Sequence, residues 1–135
     1  MDNSITGKEL YNEWINIADS DYEISKRMLD EHWPKQFINI CYHSQQAAEK
    51  YLKGYLVYNN ESIKLLRTHD LVELLNLCTK YDNDFDTLKS IGSSLSPYAT
   101  QIRYPSNAFD VTEVEAKQAL NYAKEIIDFV SSKVE

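Results

Sequence analysis

The stretch Phe37-Ile38-Asn39-Ile40-Cys41-Tyr42-His43-Ser44-Gln45-Gln46-Ala47-Ala48-Glu49-Lys50-Tyr51-Leu52-Lys53-Gly54-Tyr55-Leu56-Val57-Tyr58 decides the fold. Placed at about 100° per residue, its side chains divide into two sides of one helix. Ile38, Cys41, Ala48, Leu52, Tyr55 and Leu56 fall on one side, a face for a hydrophobic core. His43, Gln46, Ala47, Lys50, Gly54 and Val57 fall on the other, which is polar yet holds two very small residues. A solvated face has no need of Gly54, which costs about 1 kcal/mol of helix stability relative to Ala. Either another helix packs closely there, from this chain or a second subunit, or a ligand lies against the backbone. Gln45 turns toward the core side, where it is expected to satisfy a buried polar group. Glu49 and Lys53, one turn apart, read as a surface pair. His43 belongs either to a functional surface or to a bond with a neighbouring carbonyl.

Working outward, Leu10, Tyr11, Trp14, Ile17, Ala18, Tyr22, Met28 and Leu29 give an earlier helix. Asp21 interrupts its apolar stripe and needs a partner or a place at the rim. Pro34 disfavours helical geometry in Trp33, so this helix ends near Glu31-His32. Downstream, Asn59-Asn60 is the exit of the central helix. Thr68 is expected to cap a third helix, with Asp70 in its first turn and Leu71, Leu74, Leu75 and Cys78 as its stripe. Phe85, Leu88, Ile91 and Leu95 form a fourth, stopped by Ser96-Pro97. Thr112-Glu113-Val114-Glu115 is a capping box opening a last helix lined by Ala116, Ala119, Leu120, Ala123, Ile126, Ile127 and Val130. An irregular stretch, Tyr98 to Asp110, separates the two. No segment shows sustained alternation of apolar and polar residues. The expectation is an all-α bundle of four to five helices, a single domain over residues 1–135.

Composition agrees. In 135 residues, 43% apolar and 26% charged, only three Gly and three Pro occur, which excludes collagenous and many-turned all-β chains. No apolar run approaches the ~20 residues of a membrane span. Residues Met1 to Thr6 lack the basic and apolar parts of a signal peptide, so a cytoplasmic protein is the default. Cys41 and Cys78 fall in helical patterns and read as small buried residues. Three His and two separated Cys give no zinc spacing. With 21 acidic against 14 basic side chains the net charge is -7, which weighs against a broad nucleic-acid surface but leaves room for a local basic patch. Ten Tyr are many for this length, and each needs a hydroxyl partner where buried.

Outside the central helix, His69 is a packing element or, with a substrate nearby, a general base. Arg103 sits beside Tyr104 and Pro105: a guanidinium grips phosphate with two hydrogen bonds and an aromatic ring stacks on a base. The alternative role for Arg103 is a tie to Asp70 or Asp110. There is no Gly-rich phosphate loop, paired-carboxylate metal motif or nucleophile elbow, and no complete catalytic site.

These blocks, in this order, resemble the HEPN domain, the "higher eukaryotes and prokaryotes nucleotide-binding" fold. Cys41 through Gly54 resembles its second-helix signature, and Thr68-His69-Asp70-Leu71-Val72-Glu73-Leu74-Leu75 the next block. Arg103-Tyr104-Pro105 resembles the block after that, and Trp14 through Leu29 is similar to the opening helix. The resemblance implies an up-and-down helical bundle that pairs into a homodimer. It further implies a neighbouring minimal nucleotidyltransferase in a toxin–antitoxin-like module, with nucleotide or RNA as ligand and neither cofactor nor metal. Its polar positions fall on His43, Gln46, Glu49, Lys50, Lys53, Thr68, His69, Asp70, Arg103 and Tyr104. Some branches are metal-independent RNases with an Arg and a His four to six residues apart. Here Arg27 and His32 match that spacing at the end of the first helix, away from the motif's place, and no His follows Arg103. The expectation is a nucleotide- or RNA-binding subunit; the alternatives are an RNase toxin and a purely structural interaction module.

Overall fold

The structure, a computed structural model, describes residues 6–34, 36–62, 66–101 and 111–134. The chain forms α1 (Gly7–Asp30), α2 (Phe37–Tyr58), α3 (Leu71–Cys78), a 3-10 segment (Asn83–Leu88), α4 (Lys89–Leu95), the single turn α5 (Tyr98–Gln101) and α6 (Glu113–Ser132). No strand occurs among the described residues. The all-α bundle expected from periodicity is what forms. The stretch read as one fourth helix starts as a tighter 3-10 turn before continuing as α4.

Local chemistry sets the boundaries. Thr6 caps α1 by accepting the amide of Glu9, and Thr112 caps α6 by accepting that of Glu115. After α1 the backbone turns through His32 at φ 53°, and after α2 through Asn60 at φ 65°. The left-handed region suits Asn far better than most residues. The cap of α3 differs from expectation. Asp70 is the N-cap, its carboxylate accepting the amide of Val72, while Thr68 Oγ1 accepts the amide of Asp70. The carboxylate wins because it sits one residue before the first free amides.

α1 and α2 form an antiparallel hairpin. At one end Gly7 lies against the end of α2, where a Cβ would stand 2.7 Å from the carbonyl oxygen of Tyr58. At the other, the buried Ser25 hydroxyl donates to the carbonyl of Ile40 at 2.9 Å. α2 is the central rod and touches every other helix. Leu52, Leu56, Leu71, Leu74, Leu75, Phe85, Ala123, Ile126 and Val130 are sealed from solvent around it. Tyr55, Phe85 and Phe129 stack in series, with centroids 4.5 and 4.9 Å apart. Lys133 clamps the end of α6 to the 3-10 segment through Asp82 and Asp84 at 2.8 and 3.1 Å. Ile17, assigned to the α1 stripe by its spacing, instead stands 54% exposed.

Candidate functional site

The polar residues of α2 gather into two clusters. In the first, Asp21 reaches from α1 to two side chains lying two turns apart on α2. His43 Nδ1 is 2.9 Å from one of its oxygens and Lys50 Nζ 2.5 Å from the other. This is the partner that the break in the α1 stripe called for. Burial alone would raise the Asp21 pKa, but the bonds from His43 and Lys50 outweigh it and hold the carboxyl below its ordinary value. An ionised carboxylate only accepts, so Nδ1 of His43 carries the proton. His43 therefore bonds a carboxylate, not a neighbouring carbonyl.

The second cluster is more deeply set. Glu49 and Lys53 pair at 3.0 Å with their side chains only 3% and 6% exposed. The expected surface pair is thus an internal one. Lys53 Nζ also lies 5.9 Å from the centre of the Trp14 ring, in reach of its negative face. Gln45, fully buried, donates to Glu49 Oε1 at 3.1 Å and to the carbonyl of His69 at 3.2 Å, the buried polar task predicted for it. Gln46 donates to Gln45 at 2.6 Å. His69 Nδ1 stands 3.1 Å from Glu49 Oε1, although its own side chain is 52% exposed. Nε2 of His69 makes no hydrogen bond among the described residues.

His69 and Asp70 open onto a depression of about 450 Å³ between the start of α3 and the α4–α5 turn. Val72, Ser93, Ser96, Pro97, Ala99 and Thr100 complete its lining. Ser96 Oγ accepts the amide of Leu71 at 3.0 Å and lies 3.4 Å from Asp70 Oδ1, tying the α4–α5 turn to the entrance of α3.

Of the residues singled out by sequence, His43 and Lys50 therefore meet at Asp21. Gln46 reaches Glu49 through Gln45, Glu49 pairs with Lys53 and His69, and Asp70 follows His69 at the depression. Arg103 and Tyr104, with Pro105 and Asp110, lie outside the described residues. Arg27, of the spaced Arg–His match, pairs with Glu31 at 2.9 Å on the exposed side of α1. Asp21 and Gln45 were legible as residues needing partners. Ser93 carried no signal, and Ser96, beside Pro97, read only as a helix stop.

The small residues of α2 are explained inside the chain. A Cβ on Gly54 would lie 3.2 Å from Trp14 Cβ and 3.3 Å from Tyr11 Cδ1, both on α1. α1 is the helix that packs there, so Gly54 requires no second subunit, and Ala47 is already sealed within the chain. Among the described residues no group of three His, Cys, Asp or Glu is placed to hold a metal, and no helix is long and apolar enough to cross a membrane.

A model of the HEPN domain matches residues 11–133, nearly the whole chain. The chain belongs to the HEPN domain family. No curated protein matches it. Among solved structures, the HEPN fold here is similar to ST0689, described as an archaeal HEPN homologue. The TM-score is 0.71 at 25% identity, covering 93% of this chain and 98% of that one. It is also similar to TT1696 from Thermus thermophilus, with a TM-score of 0.75 at 25% identity over 92% of this chain and 98% of that one.

Proposed function

We propose that this HEPN protein is a nucleotide- or RNA-binding subunit that acts as a homodimer beside a minimal nucleotidyltransferase, in a toxin–antitoxin-like module, and that its ligand docks on the His69 face. The observation that carries the reading is the pairing of His69 with Glu49. An exposed imidazole stands 3.1 Å from a carboxylate only 3% exposed, at the lip of an open depression. The acidic balance of -7 fits a local contact better than a long nucleic-acid track. Arg103 and Tyr104, three and four residues past Thr100, supply the phosphate and stacking contacts in this reading.

Titration of the protein with AMP, ATP and short RNAs tests it. Saturable binding weakened by His69→Ala and by Arg103→Ala supports it, and affinity for none of these ligands refutes it. Light scattering at micromolar concentration tests the homodimer. Co-purification with the product of an adjacent nucleotidyltransferase gene tests the module.

The same pairing favours one second reading, an RNase. A carboxylate on Nδ1 leaves Nε2 of His69 able to take a proton from a nucleophile, with Arg103 neutralising the charge that develops on phosphate. Purified protein incubated with cellular RNA beside a His69→Ala control separates the readings. Equal cleavage by the two preparations rules the RNase out.

A further inference from the structure

We propose that Gln45 is a positioning residue of the site at His69. Its buried carboxamide grips the main chain of His69 and, through Glu49, the ring, so that the neutral imidazole carries its proton on Nδ1 and presents Nε2 as an acceptor. The inference rests on the reading that a ligand docks on the His69 face, and it names the device that aims the imidazole there.

The bonds of the Gln45 amide fix its orientation. Its Oε1 accepts from Gln46 Nε2 at 2.6 Å, so its NH2 group is the end that meets Glu49 Oε1 at 3.1 Å and the carbonyl of His69 at 3.2 Å. Both of those partners are acceptors, and a flipped amide would set oxygen against oxygen. Lys53 donates to the other oxygen of Glu49 at 3.0 Å. With Gln45 and Lys53 both donating, the carboxylate offers only lone pairs to His69 Nδ1, which stands 3.1 Å from Oε1 and 3.2 Å from Oε2. Nδ1 must therefore bring the proton. The carbonyl of His69, Gln45 Nε2, Glu49 Oε1 and His69 Nδ1 close a ring that holds one residue at two points.

Helix α3 does not need these bonds. Its ladder begins with the carbonyl of Asp70, which accepts the amide of Leu74 at 3.1 Å, so His69 stands one residue outside it. Sealing an amide from solvent beside an ion pair is costly where an apolar side chain of similar length would fill the space. Ser44, the neighbouring buried polar residue, serves the fold instead, its hydroxyl reaching Ser25 on α1 at 3.3 Å. What Gln45 adds is an exposed imidazole already ordered, which loses less freedom when a ligand arrives.

The test reads the ring directly. Long-range proton–nitrogen NMR spectra of isotopically labelled protein at about pH 9, above the ordinary histidine value of about 6.5, report which nitrogen of His69 carries the proton. His69→Ala assigns the signal. Wild type should show Nδ1 protonated, and Gln45→Met should give a mixture of the two tautomers. Ser44→Ala removes a buried hydroxyl from the same helix and should leave the His69 signal as in wild type. Titration with AMP, ATP and short RNAs gives a second readout. Gln45→Met should weaken binding by about tenfold, and should weaken it no further in the His69→Ala background, because it acts only through the imidazole. Should Gln45→Met fail to fold, Gln46→Leu at the half-buried rim releases the Gln45 carbonyl and should move the tautomer the same way. Nε2 protonated in wild type, a His69 signal unchanged in both glutamine variants, or an equal change in Ser44→Ala overturns the inference. So does an equal loss of binding with and without the imidazole. Binding of none of the probes overturns the docking reading alone, since the spectra still decide the role of Gln45.

Discussion

The Glu49 carboxylate on α2, 3% exposed, holds the exposed imidazole of His69 from below at 3.1 Å while pairing with the buried ammonium of Lys53 on its other oxygen. One buried anion thus links the interior of α2 to the surface at the entrance of α3. Removing it has a structural consequence.

Glu49→Ala leaves Lys53 charged, buried and unpaired, and is expected to cost about 3–5 kcal/mol in urea unfolding. The double variant Glu49→Met/Lys53→Met should recover most of that loss, because apolar side chains of similar volume often replace a buried pair without net cost. A single substitution costing below about 1 kcal/mol, the range of exposed pairs, would mean the pair is effectively solvated.

Asp21 predicts a pH effect. Its pKa is depressed in the folded chain by His43 and Lys50 against the opposing effect of burial. The unfolded chain therefore binds a proton at higher pH than the folded one does. The stabilisation is fully present above the ordinary Asp value of about 3.9 and is lost as pH falls through the folded value. Asp21→Asn should be less stable than wild type at pH 6, and the difference in thermal midpoint should shrink below about pH 4. A difference that is constant with pH contradicts the assignment.

At Gly54 two effects oppose. Ala recovers about 1 kcal/mol of helix propensity but brings a methyl against the Cβ of Trp14, so Gly54→Ala should fall within about 1 kcal/mol of wild type. Gly54→Leu has no such offset and should lose about 1–3 kcal/mol or more through overpacking against α1. A neutral Gly54→Leu, measured by denaturant midpoint, would show that α1 does not cover this face.

Both cysteines should be inert in the native protein. Burial pushes the Cys41 thiol up to about 12 and raises that of Cys78 further, and both are sealed from solvent. Ellman's reagent should titrate neither at pH 8 and both after unfolding in urea. Fast reaction of either thiol in the folded state would contradict its burial.

Helix boundaries were legible because their causes are local. The expected limits of α2, Phe37 to Tyr58, match the observed ones, since an unbroken helical pattern runs up to the exit at Asn59-Asn60. Pro34 and the turn at His32 end α1 for reasons contained in a few residues. The cap of α3 was misplaced by two residues because Thr68 and Asp70 are both good caps, and only the path of the backbone selects between them. The candidate site was legible in part. His43 and Lys50 share a face at helical spacing, but that they share a carboxylate depends on the position of α1.

By itself the sequence determined the helices, their order and the family, because periodicity, caps and breakers act over a few residues at a time. Only the tertiary structure decided what each side of α2 meets. Angular position around one axis says which residues share a side, not which neighbour fills it, and α2 has neighbours on more than one side. From Tyr51 to Val57 every residue is buried, so its polar side became an interior in which Lys53 needs Glu49, and Gly54 makes room for Trp14. The site at His69 arises the same way. It needs a carboxylate from one helix, an imidazole from the approach to the next and hydroxyls from the turn after α4, brought together by packing that no local pattern encodes.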